Sequence, residues 1–283
     1  MKGIISFLGR LLRDTKLSDY EMINKMWANV ILLFFRKDKI EIDGFQVSLP
    51  PQDKELSRRL ILYGYHEKEE IRILKSFLSE GDEFLDVGAN AGMFTLPISR
   101  KVGDKGRVIS VEPDPANLRI LNKNIKNNNI NNVTVIPCAF GQTNESRNLF
   151  RVPEHRGISS FANLTDKGEP IEIDVRRGED VLSEVGCWPE VVKIDVEGAE
   201  PQVLEGLGYF PEILLVECIP SQIRALGNDP VIFLSNLKQK GYDMRLIDRR
   251  TGDKIECDIK KIVRITENED KYRNIIATRD CTQ

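Results

Sequence analysis

The chain has 283 residues, with 41 lysines and arginines against 44 aspartates and glutamates, for a formal net charge of −3. Its 41% hydrophobic and 30% charged residues describe a folded globular protein with chain enough for one large core, and exclude a disordered one. The balance also excludes a protein whose main task is gripping a nucleic-acid backbone, which needs a basic excess, so nucleic acid is not an expected partner. The five cysteines form no C-x-x-C pair; free thiols in a reducing, cytoplasmic setting are expected rather than a disulfide framework or a zinc site.

Residues 1–55 read as a helical extension. Ile4, Leu8, Leu11 and Leu12 fall on one helical face, with Lys2, Arg10, Arg13 and Lys16 nearby. Two readings stay open for this stretch: a helix covering the rest of the chain or a homodimer partner, or a peripheral contact with the inner face of an anionic membrane. No signal peptide is expected, and no apolar run approaches the roughly 20 residues that cross a bilayer. After Pro50-Pro51 a helical stretch runs from Glu55 to Ser79 and stops at Gly81.

From Glu83 onward short apolar runs alternate with amphipathic segments. The predicted strands are Phe84–Val87, Val108–Val111, Val133–Cys138, Val191–Ile194 and Ile213–Glu217. The predicted helices are Gly92–Lys101, Pro115–Asn127, Pro201–Leu207 and Pro230–Lys240. Such alternation predicts an α/β domain over 56–283, a mostly parallel sheet covered by helices on both faces. A segment at about 144–180 interrupts it with two strands, Arg147–Val152 and Ile171–Val175, around a polar loop, and reads as an insertion beside the sheet. Asp243–Ile247 and Asn274–Thr278 are expected to close the sheet. Pro97 stands inside the first of these helices and is expected to kink or delay it.

The segment Phe84-Leu-Asp-Val-Gly-Ala-Asn-Ala-Gly-Met-Phe-Thr95 is a strand, a glycine turn and a helix start, a geometry that brings backbone N–H groups close to a ligand. A dinucleotide fingerprint would need glycines where Asn90 and Met93 stand. What remains is Asp86, Gly88, Asn90 and Gly92, followed by Glu112 at the end of the next strand, placed to accept both hydroxyls of a ribose. An acid-lined glycine turn of this kind suits a cationic amino-acid–nucleoside conjugate, S-adenosylmethionine.

Four strings make the reading more specific: Leu85-Asp-Val-Gly-Ala-Asn-Ala-Gly92, Val111-Glu-Pro113, Cys138-Ala-Phe-Gly141 and above all Lys193-Ile-Asp-Val-Glu-Gly-Ala-Glu200. Together they resemble the FkbM family of S-adenosylmethionine-dependent methyltransferases, and Gly64-Tyr-His-Glu67 is similar to a short element that precedes the glycine turn there. The resemblance covers about Leu60 to Gly227. It implies a class I methyltransferase (Rossmann-like) fold with seven strands, one of them antiparallel near an edge, and O-methylation, often of sugar hydroxyls. It further implies that Asp86, Gly88, Asn90 and Gly92 contact the methionyl part and Glu112 the ribose, that Cys138 and Ala139 lie beside the adenine, and that Glu67 belongs to the cofactor side.

Asp195, Glu197 and Glu200 sit at or past the carboxyl end of one strand and Glu217 ends the next, the edge where open α/β sheets bind ligands. An alcohol acceptor must lose its proton during methyl transfer. Asp195 or Glu217 is a candidate base, and Lys193 another if desolvated; alternatively Asp195, Glu197 and Glu217 hold Mg²⁺. Glu200 reads better as a helix-start residue. His66 beside Glu67 and His155 in the polar loop are further candidates for the cleft. The expected reaction is methylation of a hydroxyl on a saccharide, glycoconjugate or related small molecule. A nicotinamide-dependent oxidoreductase and a non-catalytic cofactor-binding module are the rivals.

Overall fold

The computed structural model describes residues 39–49, 57, 60, 64, 67–151, 159–163, 168–268 and 272–279. The amphipathic Ile4–Leu12 stretch, His66 and His155 lie outside the described residues. Within them, β1 (Lys39–Ile42) and β2 (Phe45–Ser48) form an antiparallel hairpin. This corrects the helical expectation for the end of the 1–55 extension. Ile40, Ile42, Phe45 and Val47 alternate with polar residues at the strand period, and Asp43-Gly44 turns the chain with both residues at positive φ (48° and 78°), as a two-residue hairpin requires.

The remaining elements follow in chain order: α1 (Lys68–Ser76), β3 (Glu83–Val87), α2 (Thr95–Val102), β4 (Arg107–Val111), α3 (Pro115–Asn127) and β5 (Val133–Ile136). Then come β6 (Ala139–Gly141), β7 (Glu145–Arg151), β8 (Ser159–Ser160), β9 (Glu169–Arg177), α4 (Gly178–Val185), β10 (Val191–Ile194) and α5 (Glu200–Gly206). The last are β11 (Ile213–Glu217), α6 (Pro220–Ala225), α7 (Pro230–Gln239), β12 (Asp243–Ile247), β13 (Lys254–Glu256), α8 (Ile259–Asn268) and β14 (Asn274–Thr278).

The main sheet has the order β13-β12-β14-β11-β10-β3-β4-β5. Strands β5, β4, β3, β10 and β11 are parallel, and β14 runs antiparallel between β11 and β12. The expected seven strands are present; the sequence reading missed β13, which pairs antiparallel with β12 and makes the sheet eight-stranded. The chain leaves β3 toward β4 and β5, then returns to β10 on its other side, so the switch in direction lies between the carboxyl ends of β3 and β10, where such sheets bind ligands.

Both faces of the sheet are covered. Leu85, Val87, Ile109, Val192, Ile194 and Val216 belong to one buried cluster, while their chain neighbours Phe84, Val108, Val191 and Leu215 belong to another. That alternation on strands apolar throughout is what helices on both sides demand. Pro97 lies in the first turn of α2, which starts at Thr95, so its missing donor interrupts no helical bond. The hairpin docks on α3: Asn124 Oδ1 accepts from Ser48 N (2.7 Å), and Asn128 both accepts from Gln46 N and donates to Gln46 O.

The interrupting segment forms a second, four-stranded sheet in the order β6-β9-β7-β8, with its own small core of Ala139, Leu149, Ile173 and Val175. No described helix is long and apolar enough to cross a membrane.

Candidate active site

The turn after β3 is fixed by the next strand. The N–H groups of Gly88 and Ala89 both donate to Val111 O, at 2.9 and 3.0 Å. Gly88 has φ +81°, and a Cβ there would stand 2.0 Å from the carbonyl oxygen of Asp195. Asp195 N in turn donates to Val87 O at 3.1 Å. The glycine turn and the acidic strand end are therefore in backbone contact, and only glycine fits between them.

Glu112 faces this turn from the end of β4. Its Oε2 accepts from Asn90 N (2.8 Å); its Oε1 accepts from Asp114 N (2.9 Å) and, more weakly, from Asn117 Nδ2 (3.3 Å). Burial pushes its pKa up to about 7 against the pull of those two backbone donors. A carboxylate offers about four acceptor positions, so Glu112 keeps capacity for a ligand hydroxyl. Asp114 caps α3 through Ala116 N and takes a bidentate pair from Arg151 at 2.5 and 2.6 Å. Arg151 thus ties the second sheet to the Glu112 segment.

Asp86 supports the turn. Its side chain is fully buried, Oδ2 accepts from Thr95 Oγ1 at 2.7 Å, and Oδ1 lies 3.3 Å from Lys193 Nζ. It holds the turn from beneath. Cys138 and Ala139 lie in the cores. The Cys138 side chain belongs to the main core, where burial pushes its thiol up to about 12, and Ala139 belongs to the small core of the second sheet.

Strand alternation does place Lys193 and Asp195 on one side, 3.7 Å apart. Lys193 is 3% exposed, donates to Gly88 O at 2.8 Å and pairs with Asp86. Burial disfavours its charge, but Asp86, Asp195 and Glu67 outweigh that and hold its pKa above the ordinary lysine range. The side chain clamps β10 to β3.

Asp195, Glu197 and Glu217 come together, each offering a carboxylate oxygen within 4.8 Å of the others. Glu197 Oε2 accepts from Gln222 Nε2 (2.6 Å), and its backbone oxygen accepts from Ser160 Oγ (2.9 Å). Burial, then Asp195, raises the Glu197 pKa to about 8. Glu217 is buried, and burial followed by the charges of Asp195 and Glu197 drives its pKa well above the carboxylate range. Glu200 is also buried, its Oε1 accepting from Val196 N and Gly198 N at 3.1 Å, so it closes the turn and stays out of the cleft.

Glu67 pairs with Arg249 at 2.8 Å, and Arg249 lies 3.3 Å from Glu70, whose other bond is from Asn274 Nδ2. Burial raises the Glu67 pKa to about 7, with Arg249 opposing and Asp195 assisting. Arg249, Glu70, Asn274, Gln222, Arg151 and Ser160 were all missed by the sequence reading. Glu67 and Arg249 are 182 positions apart, and no local pattern links them.

A family model described as "Methyltransferase FkbM domain" matches residues 86–244, more than half of the chain. The chain is 32% identical over 147 residues to "Methyltransferase 1" of Beauveria bassiana, covering 44% of this chain and 59% of that protein. It is 40% identical over 160 residues to a probable cobalt-precorrin-6B C(15)-methyltransferase (decarboxylating) of Sulfolobus acidocaldarius, covering 53% of this chain and 75% of that one. To the hexuronic acid methyltransferase AglP of Haloferax volcanii it is 29% identical over 168 residues, covering 59% and 66%. With the matched segment running from the Asp86 turn through both acidic strand ends, the chain belongs to the FkbM methyltransferase family.

Proposed function

We propose that this protein is an S-adenosylmethionine-dependent O-methyltransferase that methylates a hydroxyl of a saccharide or glycoconjugate. The observation that carries the reading is the backbone contact between Gly88 and Asp195, which sets a glycine turn with its Glu112 carboxylate directly beside a group of three acids. The residues present suit the cofactor: Glu112 has acceptor capacity that a ribose would take up, and the turn at Gly88–Gly92 would hold the methionyl part. When bound, the sulfonium supplies an electrophilic methyl group.

This chain's own residues do the rest. Methyl transfer is an in-line displacement, and alignment of the acceptor oxygen is the main help a protein gives. The acceptor oxygen forms the new C–O bond as the C–S bond breaks, and the hydroxyl proton passes to a carboxylate. Asp195, with its side chain 26% exposed, is a partly exposed member of the trio, while Glu217 is buried. The relative named a hexuronic acid methyltransferase supports a sugar acceptor.

Release of S-adenosylhomocysteine in the presence of a panel of sugars and uronic acids tests the reading. One class of hydroxyl acceptor is expected to stimulate release. Asp195→Asn is expected to lower kcat by a factor of about 10² to 10⁴, the usual worth of a positioned base, with cofactor affinity retained. Equal turnover by this variant on a true acceptor would remove Asp195 from the chemistry.

A further inference from the structure

We propose that Asp195, Glu197 and Glu217 form a binding site for one hard divalent cation, of the Mg²⁺ class, on the acceptor side of the cleft. The three carboxylates each have an oxygen within 4.8 Å of the other two. Oxygens sharing one such cation at about 2.0–2.6 Å lie no more than about 5 Å apart. The donor set is oxygen only, which suits Mg²⁺, Mn²⁺ or Ca²⁺ and disfavours zinc.

A second observation points to a ligand. Glu217 is only 7% exposed, yet its Oε2 has no hydrogen-bond partner among the described residues. A buried carboxyl oxygen without a partner is costly to keep. Gln222, which holds Glu197 through its Nε2, likewise has a buried Oε1 with no partner among the described residues, so a neutral oxygen stands beside the acids. Lys193 reaches this group of acids at Asp195, 3.7 Å away. Lys193 is bonded to Gly88 O and paired with Asp86, and Arg249 is paired with Glu67 and Glu70.

The site stands on this geometry; its role rests on the methyl-transfer reading. A cation held there takes the acceptor oxygen as a further ligand and lowers the pKa of its hydroxyl.

The test uses the full chain after dialysis against chelator, with Mn²⁺ as the probe, followed by loss of the free-ion electron paramagnetic resonance signal. S-adenosylhomocysteine is titrated in parallel into the same metal-free sample. Saturable binding of one Mn²⁺ per chain, displaced by Mg²⁺, is expected. Asp195→Asn and Glu217→Gln are each expected to weaken it by about tenfold or more, and Glu205→Gln, at an exposed position of α5, to leave it unchanged. Absence of saturable Mn²⁺ binding by the wild-type chain, or binding indifferent to both cluster variants, overturns the proposal. Nucleoside binding without Mn²⁺ would sink the cation site and leave the methyltransferase reading standing; Mn²⁺ binding without the nucleoside would do the reverse.

Discussion

Ligand-free protein is expected to lose stability as the pH rises from about 5 to about 8. Burial holds the pKa of Glu112 and of Glu67 near 7 and raises that of Glu70, against an ordinary value of 4.5. Above about pH 5 the unfolded chain has largely shed these protons while the folded protein still binds them. Their stabilisation is thus fully present below the unfolded value and is lost as the pH climbs through the folded one. One carboxyl group moved from 4.5 to about 7 corresponds to roughly 3 kcal/mol, a large share of a domain's 5–15 kcal/mol. Glu197, Glu200 and Glu217 shift in the same direction. Urea unfolding across this pH range checks the sign: the midpoint falls toward pH 8, and a midpoint that rises steadily would contradict the burial-driven account. Glu112→Gln, which no longer titrates, is expected to flatten the slope.

The second large effect is at Lys193. Replacement by Met keeps the length of the side chain and removes its charge, leaving Asp86 fully buried opposite no cation and Gly88 O without its donor. Breaking a buried pair by deleting one partner costs about 3–5 kcal/mol, and a loss of that size is expected in chemical denaturation. Adding Asp86→Asn to Lys193→Met is expected to recover a substantial part, because the neutral amide is cheaper to bury than an unpaired carboxylate. A Lys193→Met protein within 0.5 kcal/mol of wild type would show that the clamp contributes nothing.

The parts legible in the sequence were those carried by local pattern. Val191–Ile194 and Ile213–Glu217 appear in the structure with the bounds that apolar runs and flanking turns suggest, and Asp195, Glu197 and Glu217 meet because they follow or end two adjacent parallel strands. The hairpin at 39–48 was missed because residues 1–55 were read as helical throughout, although the Asp43-Gly44 turn was there to be seen. Asp86 and Lys193 were legible as charged residues on apolar strands, but the pair they make was not. Which way a charged side chain turns at a strand end depends on what packs across from it, here Thr95 and Gly88, and that is tertiary information. Arg249 shows the same limit more sharply. Its partners Glu67 and Glu70 come from the far end of the domain, and one of two adjacent arginines after a strand carries no local mark of burial.

The Gly88–Gly92 turn and Glu112 are expected to form a nucleoside site, which calorimetric titration with S-adenosylhomocysteine reads out, with NADH as a parallel control on ligand-free protein. Micromolar binding of the nucleoside and none of NADH is the expected result. Glu112→Gln is expected to weaken that binding by about tenfold or more, since hydrogen bonds to a charged group are worth about 1.5–3 kcal/mol. A folded, ligand-free protein that takes up NADH, or that binds S-adenosylhomocysteine equally well without the Glu112 carboxylate, would contradict it.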